Sequence, residues 1–197
     1  MKKTLIASLL VLAAAPLAKA QVFEETMGNI PVEMTVSNLN AEKGFANSDK
    51  FTFEGDALVQ PIGASPRNTD YVTALGSNPS MGCNVRISDK HNCYFQINGI
   101  NTSDMKKPYV GFALLKGVRR FDGTDLAVEY STDGVNWTDL AFEPLPTDEG
   151  SELVFMYRKT SSLPSVPVLC IRFRQNGYGC VFRIDDVCVC GKNAKKK

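Results

Sequence analysis

Leu126-Ala127-Val128-Glu129-Tyr130-Ser131-Thr132-Asp133-Gly134-Val135-Asn136-Trp137 is the stretch that decides the fold class. Leu126, Val128 and Tyr130 alternate with Ala127 and Glu129, a period of two that puts one side of a strand in a core and the other in water. Asp133-Gly134 then supplies the positive φ of a tight reversal, and apolar residues resume from Trp137 to Phe142. The unit reads as a β-hairpin.

The same grammar extends in both directions. Val85 and Ile87, Phe95 and Ile97, Leu153, Phe155 and Tyr157, Ile171 and Phe173, and Phe182 and Ile184 each alternate with other residues, mostly polar. Asn176-Gly177, between Val168–Gln175 and Cys180–Cys190, reads as a second hairpin turn, and Asp89-Lys90-His91-Asn92 as a third. Gly44, Gly55, Gly63, Gly76, Gly82, Gly99 and Gly123 mark further breaks, and helical periodicity is nearly absent after residue 20. Short strands with turns between them predict an all-β, two-sheet antiparallel β-sandwich of the jelly-roll kind.

At the start, Lys2 and Lys3 precede an uncharged apolar run from Thr4 to Leu17, and Ala18-Lys19-Ala20 offers small residues at the cleavage positions. This is the three-part pattern of a secretory signal peptide. The run is too short to span a bilayer, which takes about 20 residues. The expected layout is a signal peptide over 1–20, a sandwich domain over 21–191 and a basic tail over 192–197. The mature chain is then secreted, periplasmic or held in the cell envelope, with no transmembrane segment. Its 177 residues suit one domain.

Without Lys2, Lys3 and Lys19, 19 of the 22 basic residues remain against 21 acidic ones. A mildly acidic body argues against nucleic acid as a partner. All six cysteines, Cys83, Cys93, Cys170, Cys180, Cys188 and Cys190, lie in the mature chain, and an even count in an exported protein points to disulfides. Cys188 and Cys190 sit two apart on an expected strand, so they share a face and are not expected to bond each other. With His91 as the single histidine and no CxxC-type spacing, a zinc site is disfavoured.

Three motifs carry candidate chemistry. Ser131 and Asp133 can bond the turn backbone of the opening hairpin, and Trp137 can either fold back over it or stack on a sugar ring. This hairpin resembles the Asp-box of sialidases, but is one residue shorter between Ser and Trp and occurs once. In Phe182-Arg183-Ile184-Asp185-Asp186-Val187, two adjacent acids in an apolar strand are costly unless paired or bound to a cation. On a regular strand they point to opposite faces. One of them could ligate Ca²⁺ together with Glu24, or be satisfied by backbone amides or an Arg. For catalysis, His91 stands in a polar turn and no Ser or Cys nucleophile has a recognisable motif.

Phe23-Glu24-Glu25, Gly44-Phe45-Ala46-Asn47, Phe95-Gln96-Ile97-Asn98-Gly99-Ile100, the Val128–Trp137 hairpin, Ile171-Arg172-Phe173-Arg174 and Phe182–Val187 follow one another in that order. This resembles the secreted jelly-roll modules of Bacteroidota related to cleaved-adhesin and choice-of-anchor domains, and more loosely MAM domains. The resemblance implies a β-sandwich with a structural Ca²⁺ near Glu24, Asp185 and Asp186. It implies a non-catalytic binding or adhesion module for a glycan or a surface protein. The rivals are a structural or assembly subunit of an envelope complex and, less favoured, a small glycan hydrolase.

Overall fold

The computed structural model describes residues 19–61 and 71–194. The leader expected over 1–20 falls outside these residues except for Lys19 and Ala20, and so does the end of the basic tail.

Along the chain the described elements are β1 (Lys19–Glu25), β2 (Met34–Thr35), α1 (Val36–Ala41), β3 (Thr52–Glu54), β4 (Leu58–Gln60), β5 (Asn84–Ile87), β6 (Tyr94–Ile100), β7 (Met105–Lys116), β8 (Leu126–Ser131), β9 (Thr138–Asp139), β10 (Met156–Lys159), β11 (Leu169–Gln175) and β12 (Phe182–Asn193). They form two antiparallel sheets. The larger runs β10-β7-β12-β5-β4-β2 with β1 also paired to β12, and the smaller runs β3-β6-β11-β8-β9. The expected sandwich is therefore present. β12 continues through Asn193, two residues past the boundary expected for the tail.

The hairpin read from Asp133-Gly134 is real, with β8 and β9 pairing through Glu129↔Asp139 and Tyr130↔Thr138. The other two expected hairpins are corrected. Asp89–Asn92 joins β5 of the larger sheet to β6 of the smaller, and Asn176-Gly177 joins β11 of the smaller to β12 of the larger. Both are arches across the core. The second is held by backbone N–H groups of Asn176 and Gly177 donating to the Asp125 carbonyl. A Cβ at Gly177 would meet the Asp125 carboxylate at 2.1 Å, so close approach explains this glycine.

The core between the sheets is bridged by aromatic rings. Phe45 stacks on Phe53 at 4.1 Å, Phe95 lies 6.0 Å from Phe173, and Phe173 of β11 meets Phe112 of β7 edge-on at 5.1 Å. Such pairs add about 0.5–1.5 kcal/mol each beyond the area they bury. At one end of the core Glu25 is fully buried and accepts hydrogen bonds from the Ala46 and Asn47 amides and the Asn47 side chain. The two early motifs, Phe23–Glu25 and Gly44–Asn47, are thus one hydrogen-bonded unit. Burial pushes the Glu25 carboxyl up, and these bonds partly offset it.

β7 has no alternation to read. Val110 to Lys116 is buried throughout, because β7 lies inside its sheet between β10 and β12 and is covered on both faces. The strand expected from Leu153 begins at Met156 instead, and Leu153 is exposed with φ 58°.

Candidate functional site

The two sheets differ on their outer faces. Over the larger sheet, Tyr71 packs with Ala113, Leu115 and Phe155, and Ala74 packs with Cys188 and Cys190. This sheet is therefore roofed by residues from 71 onward. The outer face of the smaller sheet is wetter and carries polar side chains in register. Glu54 pairs with Gln96, Gln96 with Arg172, Arg172 with Glu129 and Glu129 with Asp139, one residue from each of five strands.

Glu129 organises this row. Its carboxylate accepts from Arg172 Nε at 2.8 Å, from Arg174 Nε at 3.1 Å and from Arg174 Nη2 at 2.8 Å. Burial pushes the Glu129 carboxyl up, but the hydrogen bonds and charges of Arg174 and Arg172 outweigh burial and hold it below its ordinary value. Arg174 also donates to the side chains of Asn92 and Asn176, tying the row to both arches. Beside it His91 stacks on Tyr178 at 5.4 Å, with His91 Nδ1 3.1 Å from the Asn176 carbonyl.

Trp137 completes the site. Its hairpin is built as the sequence predicts. Asp133 accepts from the Val135 and Asn136 amides and from the Asn136 side chain, and Ser131 Oγ accepts from the Gly134 amide. These bonds, the Asn136 side chain first, hold the Asp133 carboxyl far below its usual range. Trp137 itself reaches across β8 to β11, where the Arg172 guanidinium lies 3.8 Å from the ring centroid. Trp137, Glu129, Asp139, Arg174, Asn176 and Phe142 line a groove of about 650 Å³. Sequence reading found Trp137 and missed Glu129, Arg172 and Arg174. The available signal was three charged residues on the outward positions of two strands.

The acidic candidates lie at the other sheet. Asp185 and Asp186 do not point to opposite faces as a regular strand would require. Asp186 has φ 45°, and β12 carries a bulge between Asp185↔Ala113 and Cys188↔Gly111. Both carboxylates therefore turn toward the roof. Asp186 accepts from Tyr71 Oη at 2.6 Å and the Ser80 amide at 3.0 Å, and Asp185 from the Asp186 amide at 2.7 Å and Ser80 Oγ at 3.5 Å. Burial, then the Asp186 charge, drives the Asp185 carboxyl well above its ordinary value. Glu24 is raised by burial and by Asp186. Among the described residues no group of three or more His, Cys, Asp or Glu is gathered to hold a metal ion. The donors to this pair, a phenol, a hydroxyl and two backbone amides, are neutral.

The bulge also reverses which residues face inward. Phe182 and Ile184 enter the core before it, and Val187 and Val189 after it, so Cys188 and Cys190 turn outward under the roof. They share a face, as expected. Among the described residues no cysteine is in a disulfide, and no helix is long and apolar enough to cross a membrane.

No protein-family model matches the chain, and no curated protein matches it. Among solved structures it is similar to the K3 cleaved adhesin domain of Lys-gingipain from Porphyromonas gingivalis, at 11% identity over 88% of this chain and 99% of that one, with a TM-score of 0.45. It is similar to the K2 cleaved adhesin domain of Lys-gingipain, at 12% identity over 72% of this chain and 90% of that one, TM-score 0.42. It is also similar to the family 30 carbohydrate-binding module of a cellulosomal cellulase of Clostridium thermocellum, at 12% identity over 92% and 100%, TM-score 0.41. Cleaved-adhesin domains, the family the motif order resembles, are thus among the structures this chain is similar to.

Proposed function

We propose that this protein is a non-catalytic, exported binding module that recognises a glycan on the outer face of its five-stranded sheet. The observation that carries the reading is the groove beside Trp137, with Glu129, Arg174, Asp139 and Asn176 as its polar lining. An aromatic ring supplies an apolar surface for a sugar ring. Converging carboxylate, guanidinium and amide groups offer both donors and acceptors to hydroxyls. The site is organised before any ligand arrives, because Glu129 clamps both arginines and Arg172 supports the indole from one side. Such preorganisation lowers the ordering cost of binding.

The same clamp argues against hydrolysis. A glycosidase needs one carboxyl raised toward neutrality to act as the acid. In Glu129 the arginines hold the carboxyl down, toward its charged form. This is a carboxylate that orients neighbours and accepts hydrogen bonds. Calcium at Glu24, Asp185 and Asp186 is a separate proposal, to be decided by thermal melting.

The test is binding of purified protein to a panel of soluble polysaccharides and a glycan microarray, with Trp137→Ala and Arg174→Ala in parallel. Binding by the wild type that each substitution weakens at least tenfold supports the reading. Binding that both substitutions leave unchanged, or sugar release on the panel, defeats it. Capture of a surface protein with no glycan signal replaces the glycan by that second class of partner.

A further inference from the structure

The Cys188-Val189-Cys190 segment holds chemistry that the binding groove does not use. The two sulfurs lie 2.9 Å apart on the roofed face of the larger sheet, and both residues are fully buried. Carbon atoms in van der Waals contact sit about 3.5–4.0 Å apart, and sulfur is larger than carbon. The sulfurs are therefore closer than two non-bonded thiols rest. Side chains two apart on a regular strand run parallel, which disfavours a bond between them. Two residues of extended chain span about 6.6 Å between Cα atoms, which is near the upper end of the disulfide range of about 4.4–6.8 Å.

The surroundings favour this approach. Tyr157 Oη is 3.3 Å from Cys188 Sγ. Across the strand pair Gly111 has no side chain, and a Cβ there would stand 2.4 Å from Tyr157 Oη and 3.0 Å from Cys188 Sγ. The missing methyl makes the room in which phenol and thiol meet. A thiolate is the attacking form in thiol–disulfide exchange.

We infer that Cys188 and Cys190 are an oxidation site that closes into an intrastrand disulfide. The reaction is exchange with a low-molecular-weight or protein disulfide. One cysteine thiolate attacks a sulfur of the oxidant and expels its first thiol. The other cysteine then attacks the resulting mixed disulfide and expels the second. The new S–S bond costs the pair two protons and two electrons, and the electrons leave in the two thiols of the reduced oxidant. Because both sulfurs are buried beneath Ala74 and its neighbours, exchange takes place before that roof closes over them.

The experiment refolds the protein with glutathione disulfide, quenches with acid, alkylates under denaturing conditions and digests with trypsin. Cleavage after Arg183 and Lys192 places both cysteines on one peptide, Ile184–Lys192. The expected peptide escapes alkylation, is lighter than the dithiol form by two hydrogen atoms, and takes two alkyl groups once reduced. A peptide that carries two alkyl groups without reduction, retains glutathione, or is linked to the peptide of another cysteine overturns the inference. If refolding yield is poor, protein exported into an oxidising compartment and treated identically gives the same readout. Cys188→Ser must expose Cys190 to the alkylating reagent, which shows that the protection belongs to the pair.

Discussion

The Arg172 guanidinium lies 3.8 Å from the centroid of the Trp137 ring, so the tryptophan covers a neighbouring strand and not only its own turn. A cation–π contact of this kind contributes about 0.5–2 kcal/mol. It also sets the indole at the edge of the groove. Trp137 is the single tryptophan of the chain, so its fluorescence reports this place alone. Titration with a bound glycan is expected to shift its emission, and Arg172→Ala to move the emission of the free protein. A glycan that binds in a pull-down yet leaves the emission unchanged would put the ligand elsewhere.

Glu129→Gln is expected to weaken both glycan binding and the fold. It removes the charge shared by Arg172 and Arg174, and hydrogen bonds to charged groups are worth about 1.5–3 kcal/mol in stability. The folded Glu129 pKa is depressed, so its contribution is present above the unfolded value of about 4.3 and is lost as pH falls through the folded value. Urea melts of wild type and variant should therefore differ at neutral pH and converge in acid. A gap that persists at the lowest pH would assign the loss to packing instead.

Asp185 has the opposite sign. Burial and the Asp186 charge raise its folded pKa, so the folded state keeps a proton that the unfolded chain releases near pH 3.9. Stability should fall as pH climbs from there toward the raised value, and Asp185→Asn should flatten that slope. Urea melts across pH 4 to about 8 give both curves. Equal slopes in the two proteins would show that Asp185 ionises normally.

Calcium is tested on the same pair. Ca²⁺ would neutralise the two carboxylates in place of a proton. A melt in excess Ca²⁺ should then exceed one in EDTA by a few degrees, since ligand at about 100 times its dissociation constant adds about 2.7 kcal/mol. Asp185→Asn combined with Asp186→Asn should abolish the difference. Coincident wild-type melts would remove the ion from the account of this site.

Lys116 is fully buried and donates its ammonium to the carbonyls of Arg119 and Pro146, joining the loops after β7 and before β10. Lys116→Met keeps the volume but leaves those carbonyls without their donor. The expected cost is about 1–3 kcal/mol, a fall of several degrees in Tm for a domain of this size. An unchanged Tm would mean that the carbonyls find other donors.

The strand alternation in 126–131 and 169–175, the Asp133-Gly134 hairpin and the all-β class were legible because backbone dihedrals and side-chain period are local properties. The Ser131 and Asp133 bonds to the turn were legible for the same reason. Which sheet a strand joins is not local. Asp89–Asn92 and Asn176-Gly177 carry the residues of hairpins and act as arches, because burying the inner faces of β6 and β11 against β7 and β12 outweighs pairing with the next strand in the chain. β7 was invisible to periodicity since both its faces are covered. The bulge at Asp186 turned two carboxylates the same way and moved Cys188 and Cys190 onto the roofed face, a reversal that follows from one residue in the left-handed region. The groove needed Trp137 and Glu129 brought against Arg172 and Arg174, some 35 to 45 residues later in the chain. The sequence by itself therefore determined the kind of strand and turn, and tertiary packing alone decided which side chains share a site.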